Sequence, residues 1–106
     1  MPAKLSYETE RRVAALFPPD LRSEVSELLI HECGNNLPFL QKLDEFQLER
    51  FRFAVLKLSD GERGKLHQAI RLAQTDWRDL LMAAGFGENL EAHKHWFPSE
   101  AARGDG

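Results

Sequence analysis

Hydrophobic positions recur along the chain every three or four residues, the spacing of one face of an α-helix. No stretch of useful length alternates between apolar and polar residues as a half-buried strand does. The pattern predicts an all-α fold, a compact bundle of about five helices with a central apolar helix and a long amphipathic helix. We expect a single helical domain over residues 1–98 and a disordered tail over residues 99–106.

The first two helices are predicted over Ser6–Leu16 and from Pro19 or Asp20 to Cys33. Ser6 suits an N-cap, because its hydroxyl can accept a hydrogen bond from an amide of the first turn. Pro18 ends the first helix, since the residue before a proline avoids helical angles. The glycine and two asparagines after Cys33 favour a left-handed cap there.

The central helix is predicted over Pro38–Leu58, with a bend near Asp44. One side carries Leu48, Phe51, Val55 and Leu58, and a nearly opposite side carries Phe46, Phe53 and Leu56. A helix with two apolar sides is buried between neighbours or contacts another subunit. If the monomer leaves the second side uncovered, Phe46, Phe53 and Leu56 form a partner-binding patch suited to a protein partner or a homo-oligomer.

The long amphipathic helix is predicted from Ser59 to Ala84 as one element. Ser59 and Glu62 have the spacing of a capping box, in which each side chain accepts a hydrogen bond from the other residue's amide. The apolar band runs through Leu66, Ile70, Ala73, Trp77, Leu80, Leu81 and Ala84. Trp77 stands in the middle of this band, so we expect it to be structural and largely buried.

A glycine turn is predicted to end the long helix. Gly85 can adopt the left-handed conformation, and Phe86 stands where a Schellman motif places an apolar contact. Asn89 is expected to cap a final short helix that ends before Pro98. The chain would then fold its last apolar residues back over the lower part of the band.

The stretch DWRDLLMAAGFGENLEAHKHWFP, Asp76–Pro98, resembles the C-terminal end of small uncharacterised bacterial helical proteins. Their shared feature is a DWRDLL-AAGF run followed by a histidine and a Trp-Pro-like ending. The resemblance covers about a fifth of the chain and implies a bacterial origin. It brings no known activity, so it assigns no functional residue.

Charge and cysteine content narrow the function classes. The 106 residues carry a net charge of −3, so the chain lacks the overall basic character of many nucleic-acid-binding domains. A single cysteine excludes an intrachain disulfide and fits a reducing, cytoplasmic compartment. The N-terminal residues are not typical of a signal peptide, and no apolar run approaches the length of a membrane span. We therefore expect no membrane association.

Histidine and cysteine spacing argues against metal binding, cofactor use and catalysis. The candidate ligands are His31, Cys33, His67, His93 and His95, and no pair has the four-residue spacing that chelation on one helix requires. His31 is expected to pair with Glu27 one turn earlier, and Cys33 to be a buried apolar residue. The third hypothesis, and the second alternative to an interaction module, is a metal-binding protein or enzyme whose site combines His67, His93 and a carboxylate from separate helices.

The second hypothesis, and the first alternative to an interaction module, is a nucleic-acid-associated regulator that uses a local basic cluster as its binding face. The cluster comprises Arg50, Arg52, Lys57, Arg63 and Lys65. Acidic residues interleave with these positions, which favours a solvated, mixed-charge surface. The leading hypothesis is therefore a non-enzymatic helical protein–protein interaction module.

Overall fold

A computed structural model describes residues 5–33, 45–89 and 91–98. These residues form five α-helices and one short 3₁₀ helix, with no strand among them. The elements are α1 Tyr7–Leu16, α2 Pro19–Glu32, α3 Glu45–Ser59, α4 Arg63–Thr75, α5 Trp77–Ala84 and the 3₁₀ helix Ala92–His95. The predicted all-α bundle is confirmed, and none of these helices is long and apolar enough to cross a membrane.

Helix α3 is the centre of the bundle, as its two apolar sides predict. It packs against α1, α4, α5 and the 3₁₀ helix. Six consecutive residues, from Phe51 to Leu56, are buried around its full circumference. The predicted bend near Asp44 and the glycine cap after Cys33 lie outside the described residues.

The first two helices begin and end within one residue of their predicted bounds. The Ser6 hydroxyl accepts a hydrogen bond from the Thr9 amide at 3.2 Å, as an N-cap should. The same hydroxyl donates to a carboxylate oxygen of Glu49 at 2.6 Å, which ties the start of α1 to α3. Local capping chemistry and a tertiary contact therefore fix the same end of the helix.

The prediction of one long helix over Ser59–Ala84 is wrong, because Asp76 separates α4 from α5. Its backbone leaves the helical region, at φ −152° and ψ 89°. Its amide donates to the Leu72 carbonyl, and its side-chain oxygen accepts from the amides of Arg78 and Asp79. Asp76 thus ends one helix and caps the next, while the apolar spacing continues across the break.

The predicted capping box at Ser59 and Glu62 is also wrong. Ser59 is the last residue of α3, and its hydroxyl donates to the Leu56 carbonyl at 2.6 Å. Glu62 precedes α4 but makes no side-chain cap. Asp60 and Gly61 between them both have positive φ, at 52° and 77°. The segment is therefore a tight turn that ends α3, and Ser59 belongs to that ending.

The predicted glycine stop after α5 is confirmed. Gly85 has φ 82°, its amide donates to the Met82 carbonyl, and the Phe86 amide donates to the Leu81 carbonyl at 2.8 Å. These two bonds define a Schellman motif, and Phe86 is buried beneath it. The final helix is a single 3₁₀ turn, and the Asn89 side chain accepts from the Glu91 amide just before it.

Candidate functional site

The apolar patch predicted on α3 is covered within the monomer. Phe53 and Leu56 are 1% and 0% exposed, and Phe46 is half-buried with its ring 5.0 Å from the ring of His93. Helix α1 and the 3₁₀ helix pack on α3, and the guanidinium of Arg12 lies 4.0 Å from the centre of the Phe53 ring. Phe53 and Leu56 therefore cannot form the exposed partner-binding patch that the sequence predicts.

The five residues of the predicted basic face do not form one exposed surface, because the two arginines on α3 are buried. Arg50 and Arg52 are 6% and 3% exposed. Arg50 donates from Nη2 to the Phe86 carbonyl at 2.8 Å, and Arg52 donates from Nε to the Cys33 carbonyl at 3.0 Å. These carbonyls follow the last turns of α5 and α2, where backbone acceptors lack helical partners. Both arginines thus act as long-range caps.

The remaining basic residues have acidic or carbonyl partners. Lys57 donates to the Ala84 carbonyl at 2.8 Å, at the end of α5. Arg63 pairs with Glu24 at 2.9 Å, and the Lys65 ammonium lies 3.6 Å from the Glu62 carboxylate. The local basic cluster is dispersed because neighbouring positions on a helix point in different directions.

The histidine site of the third hypothesis is not assembled among the described residues. His93 is buried beside the rings of Phe46, Phe53 and Phe86, whereas His67 is exposed on α4. No group of three histidine, cysteine or carboxylate residues in the described ranges could hold a metal ion. His31 lies 3.0 Å from Glu27, as its spacing predicts.

Cys33 is fully buried, in agreement with its interpretation as an apolar residue. Burial raises the pKa of its thiol to about 12, although the charge of Arg52 opposes this shift. The thiol is therefore protonated at neutral pH and poorly suited to nucleophilic chemistry.

A concave surface lies beside α5, outside the core. It encloses about 420 Å³ and is called here the Trp77 groove. Its lining comprises Arg50, Trp77, Arg78, Leu81, Met82 and Gly87. The groove thus combines apolar side chains with two guanidinium groups, a composition that the sequence pattern did not single out.

Trp77 packs against the core, as predicted for a structural residue, but it is not fully buried, and part of its side chain stays accessible. As the first residue of α5, it stands at the break rather than inside a continuous helix. Its ring meets the ring of Phe51 edge-on at 5.7 Å, and the guanidinium of Arg78 lies 5.4 Å from its ring centre. Trp77 therefore joins the core on one side and lines the groove with the rest of its surface.

Met82 and Gly87 form the other end of the groove. Met82 is 61% exposed, so its thioether is accessible to a partner. A Cβ on Gly87 would lie 2.5 Å from the Met82 sulfur and 3.3 Å from its Cγ. With glycine at position 87 the thioether lies against the loop that follows α5, and a Cβ there would displace this flexible side chain.

The charge of the groove is positive. Burial lowers the pKa of Arg50, and among the described residues its Nε has no hydrogen-bond partner and no carboxylate forms an ion pair with it. Asp76 uses its carboxylate to cap α5, and Asp79 and Glu88 are exposed residues outside the lining. Within the part of the chain that the structure describes, the buried guanidinium of Arg50 therefore lacks the acidic neighbour that a buried charge ordinarily has.

Comparison with known proteins adds no further assignment. No protein-family model matches this chain, and neither a curated protein nor a solved structure gives a match.

Proposed function

We propose that this chain is a non-enzymatic protein-interaction module and that the Trp77 groove binds a short segment of a protein partner. The observation that carries the proposal is the convergence of Trp77, Met82 and two arginines on one concave surface. Tryptophan, methionine and arginine are enriched in protein interfaces, and tryptophan and arginine dominate their binding energy.

The shape of the groove supports a segment rather than a flat protein surface. Its volume falls in the range of sites that enclose small ligands, about 300–1,000 Å³, so it holds a few side chains. Met82 has a flexible, polarizable side chain that adapts to different apolar partners. A short peptide segment with one or two anchoring side chains fits these dimensions.

Binding accounts for the groove better than catalysis does. Its lining is apolar apart from the guanidinium groups of Arg50 and Arg78. Guanidinium groups stay protonated in proteins and do not serve as general bases. The nucleic-acid alternative loses its main support, because Arg50 and Arg52 are buried caps. A bacterial cytosol is the setting we propose, from the resemblance of residues 76–98 and the single cysteine.

Selection from a displayed library of random peptides of about twelve residues tests the proposal. We expect enriched peptides that bind the wild-type protein and compete with one another for one site. Met82→Ala removes an exposed side chain of the groove and should weaken their binding about tenfold.

Tyr7→Ala is the matched control, because Tyr7 is 73% exposed on α1 and does not line the groove. It should bind the selected peptides as the wild type does. Selection without enrichment, or peptides whose binding responds to Tyr7→Ala and not to Met82→Ala, would refute the proposal.

A further inference from the structure

The Trp77 groove has a recognition chemistry that follows from its charges, on the premise of the proposed function. We infer that it recognises a segment with a carboxylate next to a large apolar side chain. The carboxylate would lie between the guanidinium groups of Arg50 and Arg78, and the apolar side chain against Trp77, Leu81 and Met82.

Arg50 brings a buried positive charge to the groove. It is 94% buried, and its one hydrogen bond among the described residues goes to a neutral carbonyl, that of Phe86. A buried charge without an opposite charge is costly, and an interaction between charges strengthens where water is excluded. A carboxylate that enters the groove would compensate a positive charge that the described residues leave uncompensated.

Arg78 adds an exposed positive charge near the ring of Trp77, which lines the groove. Its guanidinium carbon is 5.4 Å from the centre of the Trp77 ring. This distance is within cation–π range, an interaction that favours the guanidinium near the ring while its N–H groups stay available. A guanidinium binds a carboxylate through two parallel hydrogen bonds, which makes this residue a suitable direct contact.

The apolar residues of the groove set the spacing between the acidic and the apolar residue of the bound segment. Trp77, Leu81 and Met82 all line the groove, and they follow one another along α5 at intervals of four residues and one residue. A carboxylate at Arg78 thus has apolar surface beside it within one to two helical turns. The two features favour a segment whose acidic residue and apolar residue are close together in its own sequence.

Asp79 and Glu88 reinforce the position of the carboxylate. Both are exposed and neither belongs to the lining, whereas both charged residues of the lining are arginines. Like charges repel, so an acidic group gains no favourable contact at Asp79 or Glu88. An acidic segment should therefore bind in one position rather than across the whole face.

Matched synthetic peptides test the inference. The peptides selected with the wild-type protein should contain aspartate or glutamate within about two residues of a leucine, phenylalanine or tryptophan. Replacing that acidic residue by its amide should weaken binding at least about tenfold, as measured by calorimetry. Added salt should weaken the binding of the acidic peptide more than the binding of the amide peptide.

Protein variants identify the groups that read the carboxylate. Arg78→Gln should reduce the difference in affinity between the acidic and the amide peptide to about twofold or less. Arg11→Gln replaces another exposed arginine, on α1, and should preserve that difference. If circular dichroism shows that Arg50→Met is folded, this variant should reduce the affinity difference as Arg78→Gln does. If Arg50→Met is unfolded, the result for Arg78→Gln alone decides whether the arginines of the groove bind the carboxylate.

The possible outcomes separate this inference from the proposed function. Peptides that bind at the groove equally well as acids and as amides would overturn the inference and leave the interaction module standing. Failure to select any groove-binding peptide would overturn both. N-acetyl-leucine that binds as tightly as the peptides would indicate a site for a small carboxylic acid, and would overturn recognition of a protein segment.

Discussion

The guanidinium of Arg12 donates two hydrogen bonds to the carbonyl oxygen of Trp96, at 3.1 Å from Nε and 2.8 Å from Nη2. It also stacks on Phe53, and only 4% of the residue is exposed. One side chain of α1 thus holds the C-terminal segment over α3. This contact covers the side of the central helix that carries Phe53.

Arg12→Ala should destabilise the protein strongly. Hydrogen bonds to a charged group contribute about 1.5–3 kcal/mol, and a partly buried cation–π contact about 0.5–2 kcal/mol. We expect urea denaturation to show a loss of about 2–4 kcal/mol. Arg11→Ala should cost less than about 1 kcal/mol, because Arg11 is an exposed residue with a surface ion pair. Equal losses in the two variants would contradict this role for Arg12.

The sequence predicts that Ser59 caps α4 together with Glu62, but in the structure it ends α3 without Glu62. The two roles differ in whether the Glu62 side chain contributes to stability. A capping box requires both side chains, whereas the structure gives Glu62 no side-chain cap. Ser59→Ala should cost about 0.5–1.5 kcal/mol through the lost hydrogen bond to Leu56. Glu62→Ala should change the free energy of unfolding by less than about 0.5 kcal/mol. A loss of 1 kcal/mol or about that size in Glu62→Ala would restore the capping box.

Two glycines with positive φ should respond differently to alanine. A Cβ on Gly61 would lie 2.9 Å from the Leu16 backbone oxygen, whereas one on Gly85 meets only the Lys57 ammonium, at 3.6 Å. Gly85→Ala carries the conformational cost alone, about 1–2 kcal/mol. Gly61→Ala adds a clash with backbone and should cost more. Thermal denaturation of both variants checks this order, and a more stable Gly61→Ala would contradict the packing of the turn on α1.

Cys33 makes stability depend on pH in the alkaline range. The folded thiol has a pKa of about 12, raised by burial, whereas an unfolded cysteine has a pKa of about 8.5. Above the unfolded value, unfolding releases a proton that the folded protein retains, so the free energy of unfolding falls as pH rises. The full contribution is present below about pH 8.5 and is lost progressively towards about pH 12.

Cys33→Ala isolates this effect, because all other titrating groups are shared with the wild type. Between about pH 7 and about pH 10, the wild type should lose roughly 1–2 kcal/mol more than the variant does. Urea denaturation at both pH values measures the difference. Parallel losses in the two proteins would mean that the Cys33 thiol titrates normally when folded.

Helix ends that depend on local chemistry could be predicted from the sequence. Ser6, Pro18 and Gly85 each act through their own side chain or backbone preference, and each lies where the structure uses it. The break at Asp76 was missed because Ala73, Trp77 and the leucines after it keep helical spacing across the interruption. Periodicity reports which side is apolar, and it does not report whether the backbone is continuous.

The candidate site was less predictable because it depends on contacts between distant segments. Arg50 looks like a surface residue of α3 until the loop after α5 brings the Phe86 carbonyl to it. Gly87 gains its role only from the approach of the Met82 sulfur. An apolar methionine on the solvated side of an amphipathic helix was the one local signal for the groove.

The most direct test of the Trp77 groove is a titration of the ¹⁵N-labelled protein with a selected peptide, followed through its two tryptophan indole N–H signals. Trp77 lines the groove and Trp96 does not, and Trp77→Phe assigns the two signals. We predict that the Trp77 indole shifts with the same saturation curve as the backbone amides of Met82 and Gly87, while the Trp96 indole stays in place. Saturable shifts centred on Trp96, with Trp77 and Gly87 unchanged, would contradict the assignment of this groove as the interaction surface.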